Sequence, residues 1–575
     1  MLYKYLGNLP TAIVHLQLNF PMGWHDHHCS FHHGNPRCFR SPNTLLRVSN
    51  TPCVYLDTGI AFIRYFLGCS CLSPLVNPSW KHVQYVPGMR VLFSPLTIFG
   101  AMIPTRSWNP GLNWSWIWRK TAYMNRTHDI ISMVPILFGK PSIYVGSLDV
   151  ARQLLVNENK LRLEKPADLR KSLLLWGESL STTNGEDWRR HRRILGPAFS
   201  NETYVTVVKE TASIYREMVA AEGWMDNTEV VVEEFHRIPS HVAFVALARC
   251  GFNVRLPWAE ERENEDLSFG KALKTVIRTN LARLAIPIWA YKLPLEGLHK
   301  MDQAWKYIGV YMHDLVARRR EELRGEVPEN LHQRGDLFSR LVAALDENAK
   351  IGLKEQEVIG NTFTFMFVGH ETSARVLTEA LGFLAIHQDE QDKAVNEISS
   401  ALPAGQDPTF NDLSKLVHLL ACFHEALRIY PPSLMMGRDT TSEIPIKVTH
   451  PSPQTILLPK GSRVVMDMIA LHHDPRVFPD PEKFKPSRWY GKNGVGDEVS
   501  MFGLGPRVCI GRKFVESEAL TFLSMFLRDW KVDIILSPGE TRAQYEDRVM
   551  GRARLIGHAF GVEPFPLKVS RRVSV

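Results

Sequence analysis

Beyond residue 71 only three cysteines, Cys250, Cys422 and Cys509, remain in a 575-residue chain, and they stand far apart. Scattered cysteines frame no disulfide scaffold, so the folded body reads as facing a reducing compartment, with any special cysteine there for chemistry. Long apolar runs are scarce as well. The best, Gly59 to Val76, carries Arg64 and Pro74 with Asp57 just before it, whereas a spanning helix wants roughly 20 apolar residues with few charges. No secretory signal pattern is expected at the amino terminus. Gly-rich phosphate loops are missing: Glu357-Val-Ile-Gly-Asn361 and similar stretches do not qualify, and no flavin, nicotinamide or iron–sulfur motif is found. The formal net charge of +8 is spread thinly, without the basic tracts interleaved with aromatics that nucleic-acid binding would call for. A mildly basic face still suits an acidic protein partner or an anionic membrane surface.

What is present is a chain that is 45% hydrophobic and 22% charged, enough to bury a large core. Residues 1–80 stand apart as a poorly structured extension, rich in His, Cys, Pro and Asn and without sustained period. Its tract Trp24-His-Asp-His-His-Cys-Ser-Phe-His-His33 has no paired zinc-ligand spacing. Trp108, Trp114, Trp116 and Trp118 crowd beside Arg106, Arg119 and Lys120, as either interfacial membrane anchors or core aromatics. Short strands are expected at 131–138, 142–145 and within 455–466. Apolar residues at i, i+3, i+4 predict helices at 154–163, 205–221, 231–248, 270–285, 302–323, 333–346, 355–386, 389–401 and 513–529. The fold class is mainly α (α+β): one large helical body over 81–575 with small sheets.

The densest segment is Phe502-Gly-Leu-Gly-Pro-Arg-Val-Cys-Ile-Gly-Arg-Lys-Phe514. Its glycines permit turns and close approach to a flat ligand. A helix beginning just after Cys509, with Arg507 nearby, is expected to lower the thiol pKa and favour the thiolate that binds metal. The competing reading is a structural cysteine in a Gly-rich turn. No Cys or His partner stands nearby to complete a zinc site, so a single thiolate points to a metal whose other ligands come from a cofactor, namely haem.

Phe-x-x-Gly-x-Arg-x-Cys-x-Gly, complete here from Phe502 to Gly511, resembles the haem-binding signature of the cytochromes P-450. Other landmarks of that family follow the same order. Glu425-Ala-Leu-Arg428, then Tyr430-Pro-Pro432, is similar to its Glu-x-x-Arg helix, and Phe484-Lys-Pro-Ser-Arg488-Trp489 to its later segment. The resemblance implies a buried network of Glu425, Arg428 and Arg488 supporting the loop of Cys509, the axial iron ligand. Trp188-Arg-Arg-His-Arg192 is similar to its Trp-x-x-x-Arg helix. It implies that Trp188 and Arg192 hold a propionate of haem b, with Arg438 as a further candidate and Phe502, Arg507 and Gly511 completing the cofactor site.

Val368-Gly-His-Glu-Thr-Ser373 is similar to the family's oxygen-activating helix, with Gly369, Glu371, Thr372 and Ser373 in pattern and Val368 in place of the usual Ala or Gly. Thr372 is expected to hydrogen-bond the activated oxygen, Glu371 to relay protons from solvent and Gly369 to leave room; His370 is expected to face away. Pocket walls are expected near 172–176, 281–293, 363–368, 433–436 and 549–551, mostly apolar and suited to a lipophilic small molecule.

The resemblance covers roughly 81–575 and implies a eukaryotic, membrane-bound haem-thiolate monooxygenase, fungal in style, taking dioxygen and electrons from an NADPH-dependent flavoprotein reductase. It places the chain at the endoplasmic reticulum membrane with the catalytic domain facing the cytosol. Two alternatives stand beside it: a haem-thiolate isomerase, dehydratase or peroxygenase working without reductase, and a non-catalytic haem sensor.

Overall fold

The computed structural model describes residues 83–572, apart from 107, 257, 259–267, 325–335, 346–351, 404 and 492–500. The expected extension at 1–80, with its apolar segment near 59–76 and its His-rich tract, lies outside the described residues.

The described helices of eight or more residues are α1 (Leu148–Leu155), α2 (Ala167–Leu174), α3 (Gly185–Leu195), α4 (Asn201–Ala221), α5 (Arg237–Ala246), α6 (Phe269–Ala285), α7 (Glu296–Arg324), α8 (Glu355–Ile386), α9 (Gln388–Ala401), α10 (Val417–Ile429) and α11 (Arg512–Asp529). The strands are β1 (Gly88–Phe93), β2 (Ile130–Phe138), β3 (Ser142–Val145), β4 (Leu163–Glu164), β5 (Glu229–Val232), β6 (Met435–Thr440), β7 (Ile444–Val448), β8 (Gln454–Leu458), β9 (Arg463–Asp467), β10 (Trp530–Asp533), β11 (Ala553–Ile556), β12 (Ala559–Val562) and β13 (Leu567–Arg571). A six-stranded sheet has the order β1-β2-β3-β9-β6-β4, a three-stranded sheet the order β10-β13-β5, and β7–β8 and β11–β12 are antiparallel hairpins. The molecule is a helical body with small sheets.

α8 is the axis. It packs against α5, α10, α11 and β12. Apolar residues fall on every side of it, with a few polar ones among them, as suits a helix in the interior. The helix is buried from Glu357 to Phe367 and again from Ser373 to Ile386. Between these stretches Val368 to Thr372 are partly open, and Val368, Gly369 and Thr372 line a cavity. α5 runs into a π-helical turn, Leu247–Gly251, that faces the same cavity. Such wide turns push side chains out of helical register and recur at functional sites.

Several expectations shift. The helix expected at 154–163 is α1, lying earlier: Leu154 and Leu155 close its buried face, while Leu163 joins β4 opposite Thr440. The helix expected at 231–248 divides, because Val230 to Val232 pair with β13. Of the tryptophan cluster, Trp114 and Trp116 are core residues, Trp114 edge-on to Tyr144 at 5.2 Å and Trp116 packed on Tyr430 and Phe560. Among the described residues no helix is long and apolar enough to cross a membrane.

Candidate active site

The sulfur-bearing loop precedes α11. Gly503 and Gly505 adopt φ of +85° and +72°, the left-handed region that disfavours side chains. A Cβ on Gly505 would also stand 2.0 Å from the Leu155 carbonyl oxygen, so the loop seats directly on the end of α1. Cys509 donates its backbone N–H to Phe502 O (2.8 Å), closing the turn. Protein surrounds the sulfur, yet the side chain is open to a cavity of about 350 Å³. The same cavity touches Gly369, Thr372 and Val368 on α8, Phe502, Arg507 and Gly511 on the loop, and Leu247 and Gly251 on the π turn.

The thiol departs from the sequence expectation. Burial pushes the Cys509 pKa up, and the Gly511 N–H with the Arg192 and Arg512 charges only partly offsets it. Arg507 contributes to a different neighbourhood. A thiolate here needs a further positive charge at the sulfur, as a bound metal cation provides.

That other neighbourhood is a cluster of cations. Arg507 donates through Nη2 to Thr183 O (2.9 Å) and Asn184 Oδ1 (3.1 Å) and lies 4.6 Å over the Trp188 ring. Arg438 is buried, and its side chain donates to the carbonyl oxygen of Gly437 (2.7 Å). Lys165 donates to Ser181 O (2.7 Å), and Arg170 donates to Thr182 O while its buried Nε has no hydrogen-bond partner among the described residues. Burial lowers the pKa of Arg438 and of Arg507 to about 10. Burial, then the Arg438, Arg507 and Arg170 charges, drives Lys165 well below the usual lysine range. The Arg192 side chain, also partly buried, makes no hydrogen bond or ion pair among the described residues; its charge faces Cys509. Buried cations without carboxylates are costly unless an anion joins them. Two propionates beside a sulfur ligand are such an anion pair, so this donor set fits haem. Lys165 and Arg170 escaped sequence reading because their neighbours are distant in the chain.

Glu425, Arg428 and Arg488 meet in a dry network. Arg428 holds Glu425 with two bonds of 2.9 Å, and Arg488 Nε donates to Oε1 at 2.9 Å. Trp489 Nε1 and Lys485 N complete the carboxylate at 3.0 Å each. Arg428 also binds the carbonyls of His472 and Pro481. A route to the sulfur loop runs through His424, whose ring is edge-on to Trp489 and Phe502 and whose Nε2 lies 3.0 Å from Glu516 Oε1. His424 was missed by sequence reading, since no motif marks it.

On α8, Thr372 Oγ1 donates to Val368 O (2.9 Å), leaving its lone pairs free to accept. Ser373 donates to Gly369 O (3.0 Å) and stands beside Glu518, a fully buried carboxyl on α11 that burial pushes up to about 8. Glu371 turns off the cavity face, with Oε2 2.8 Å from His558 Nδ1 on the β11–β12 turn. Burial opposes ionisation of Glu371, but His558, then His370 and Arg375, hold its pKa below the usual value. His370 faces away from the cavity: its Nδ1 is 2.9 Å from Met366 O, its ring is edge-on to Phe244, and burial lowers it to about 4.

The expected pocket walls are only partly used. Phe365, Val368, Ser433 and Met436 line the cavity. Residues 172–176 do not, because Trp176 stacks between Trp305 (5.1 Å) and Phe363 (4.6 Å) in a closed core. Residues 281–293 do not reach it either: Ile288 and Trp289 are exposed, while Tyr291 packs into the core. Residues 549–551 are held elsewhere: Tyr430 and the Trp116 indole donate to the carbonyls of Met550 and Gly551.

Comparison with known proteins agrees with this geometry. The family model for cytochrome P450 matches residues 93–549. The chain is 27% identical over 495 residues to cytochrome P450 monooxygenase 124 of Postia placenta, covering 84% of this chain and 93% of the relative. It is 29% identical over 416 residues to cyclooctat-9-en-7-ol 5-monooxygenase of Streptomyces melanosporofaciens, covering 71% and 84%. The crystal structure of a cytochrome P450 (CYP102L1) superposes with a TM-score of 0.63 at 22% identity, covering 77% of this chain and 95% of that one. The chain belongs to the cytochrome P450 family, as a haem-thiolate monooxygenase whose cofactor is haem b.

Proposed function

We propose that this monooxygenase inserts one oxygen atom into a lipophilic small molecule, with Cys509 as the thiolate that would hold the haem iron and α8 as the oxygen-activating wall. The observation that carries the reading is the single cavity shared by Cys509, Gly369 and Thr372. Bound haem supplies the iron at which dioxygen is reduced and cleaved. Arg438, Arg507, Lys165, Arg192 and Trp188 would hold its propionates, and Phe502 and Gly511 would face its ring. Glu425, Arg428 and Arg488 brace the chain behind the loop. Thr372 holds a proton at Oγ1 beside the cavity, and Glu371 resupplies it from the outer face of α8. Substrate, dioxygen, two electrons and two protons give hydroxylated product and water.

The walls contributed by Phe199, Leu247, Phe365, Val368, Val376 and Met436 favour an apolar substrate, and Val368 narrows the helix side where a smaller residue is usual in the family. Electrons come from a separate NADPH-dependent flavoprotein reductase. An endoplasmic reticulum membrane surface, with the catalytic domain on the cytosolic side, suits the exposed apolar residues Ile288, Trp289, Phe99 and Phe138. Reduction of the purified holoenzyme under carbon monoxide tests the core of the reading. A Soret band strongly shifted to the red is expected, and Cys509→Ala is expected to lose it. An unshifted band in the wild type would refute thiolate ligation.

A further inference from the structure

Glu371, read above as the proton supplier, does not line the cavity and so depends on whatever stands behind it. That position is taken by the β11–β12 turn. Gly557 there has φ of +67°, and a Cβ on it would lie 2.4 Å from Glu371 Oε1, so the turn presses directly on the carboxylate. The next residue, His558, places Nδ1 2.8 Å from Glu371 Oε2, and its ring stacks on Phe367 at 3.9 Å and 17°. The two side chains keep 18% and 16% of their surface. Both ring nitrogens of His558 are buried: Nε2 has no hydrogen-bond partner among the described residues, and Nδ1 meets Glu371 as a close ion-pair contact and not as an aligned hydrogen bond.

The other charged groups facing this pair are committed elsewhere. Burial lowers His370 to about 4, and its Nδ1 is occupied by Met366 O. Arg375 lies along Val562 O and Glu379, and burial drives the Glu379 carboxyl up. Arg554 pairs with Glu563 at 2.7 Å. Lys274 on α6 acts on His370, Arg278 on α6 acts on His236, and burial lowers His236. Among the described residues, the His558 imidazole, which lies 2.8 Å from Glu371 Oε2 and keeps part of its ring at the surface, is the group placed to hand it protons.

We propose that His558 is the proton relay that recharges Glu371, a residue acting through Glu371 and not on substrate. The proposal rests on the proton-delivery reading of Glu371. In each transfer the imidazolium gives its Nδ1 proton to Glu371 Oε2, leaving neutral imidazole and a carboxylic acid. One proton then enters the imidazole from water for each proton delivered. Neither oxidant nor reductant is needed.

The test uses the holoenzyme with a reductase and measures NADPH consumption without added substrate, across pH and in heavy water. His558→Phe keeps a ring on Phe367 but removes both nitrogens, and the carbon monoxide spectrum checks that the haem site is intact. NADPH consumption is expected to fall about tenfold or more, within the range of acid–base contributions, with a larger solvent isotope effect. Infrared spectra of His558→Phe at about pH 6 are expected to show a protonated carboxyl band that Glu371→Gln removes, because burial then favours the neutral form without His558 to oppose it. A wild-type rate or a missing band overturns the proposal. Glu371→Gln separates the two levels: if it slows consumption while His558→Phe does not, only the role of His558 fails, and if neither slows it, the proton-delivery reading itself fails.

Discussion

Replacing Glu425 with glutamine removes a charge from the centre of the buried network at almost constant volume. Five donors converge on the two carboxylate oxygens: Arg428 Nε and Nη2, Arg488 Nε, Trp489 Nε1 and Lys485 N. Glutamine offers one acceptor oxygen and turns the other position into a donor facing donors. Arg428 is fully buried and Arg488 nearly so, so two guanidiniums lose their counter-charge in a dry setting. Breaking a buried pair from one side costs about 3–5 kcal/mol. For a folded body of roughly 500 residues the unfolding entropy is about 1 kcal/mol per kelvin, so Tm is expected to fall by about 3–5 °C. Haem retention is expected to fall with it, because Trp489 and His424 link the network to Phe502. Scanning calorimetry of the holoprotein with parallel carbon monoxide spectra measures both. A shift below about 1 °C with full haem content would refute the view that this carboxylate is the hub of the network.

Thr372→Ala is expected to keep the carbon monoxide spectrum while the fraction of NADPH electrons recovered in product drops several-fold; fully coupled turnover would count against the proton held at Oγ1. Glu518 gives a pH signature in stability. Burial raises its folded pKa to about 8 from an ordinary 4.5, so it is neutral in the fold over a range where the unfolded chain is ionised. Its contribution is full below about pH 4.5 and is lost as pH rises through about 8, at no more than about 1.4 kcal/mol per pH unit. Glu518→Gln is therefore expected to gain at least about 1 kcal/mol on the wild type between about pH 5 and 8 by urea unfolding, and parallel pH curves would exclude a buried, late-titrating carboxyl.

Contiguous features were readable before any coordinates. The loop from Phe502 to Gly511 carries its own turns, and α8 follows from apolar residues recurring at helical spacing from Val358 to Ile386. Features set by distant partners were not. Val230 to Val232 have helical-looking neighbours, yet β13 claims them as a strand. Arg507 looked like the cation for Cys509 because it is two residues away, whereas folding points it at Trp188 and Thr183 and brings Arg192 to the sulfur. Trp176 read as a pocket wall because nothing local reveals that Trp305 and Phe363 sandwich it. Glu371 was assigned a task from its place in a motif; its partner, His558, lies nearly two hundred residues on, and only the packing of β12 on α8 joins them.

The gathering of Lys165, Arg170, Arg438 and Arg507 has a consequence for assembly. Four like charges driven into one corner repel one another while they are desolvated, so that corner resists closing on its own. On the reading proposed above, the cofactor's two carboxylates act as the missing counterions, and the last stage of folding waits for them. The polypeptide then encodes an unfinished charge balance, and the prosthetic group works as a structural ion before it takes part in any reaction.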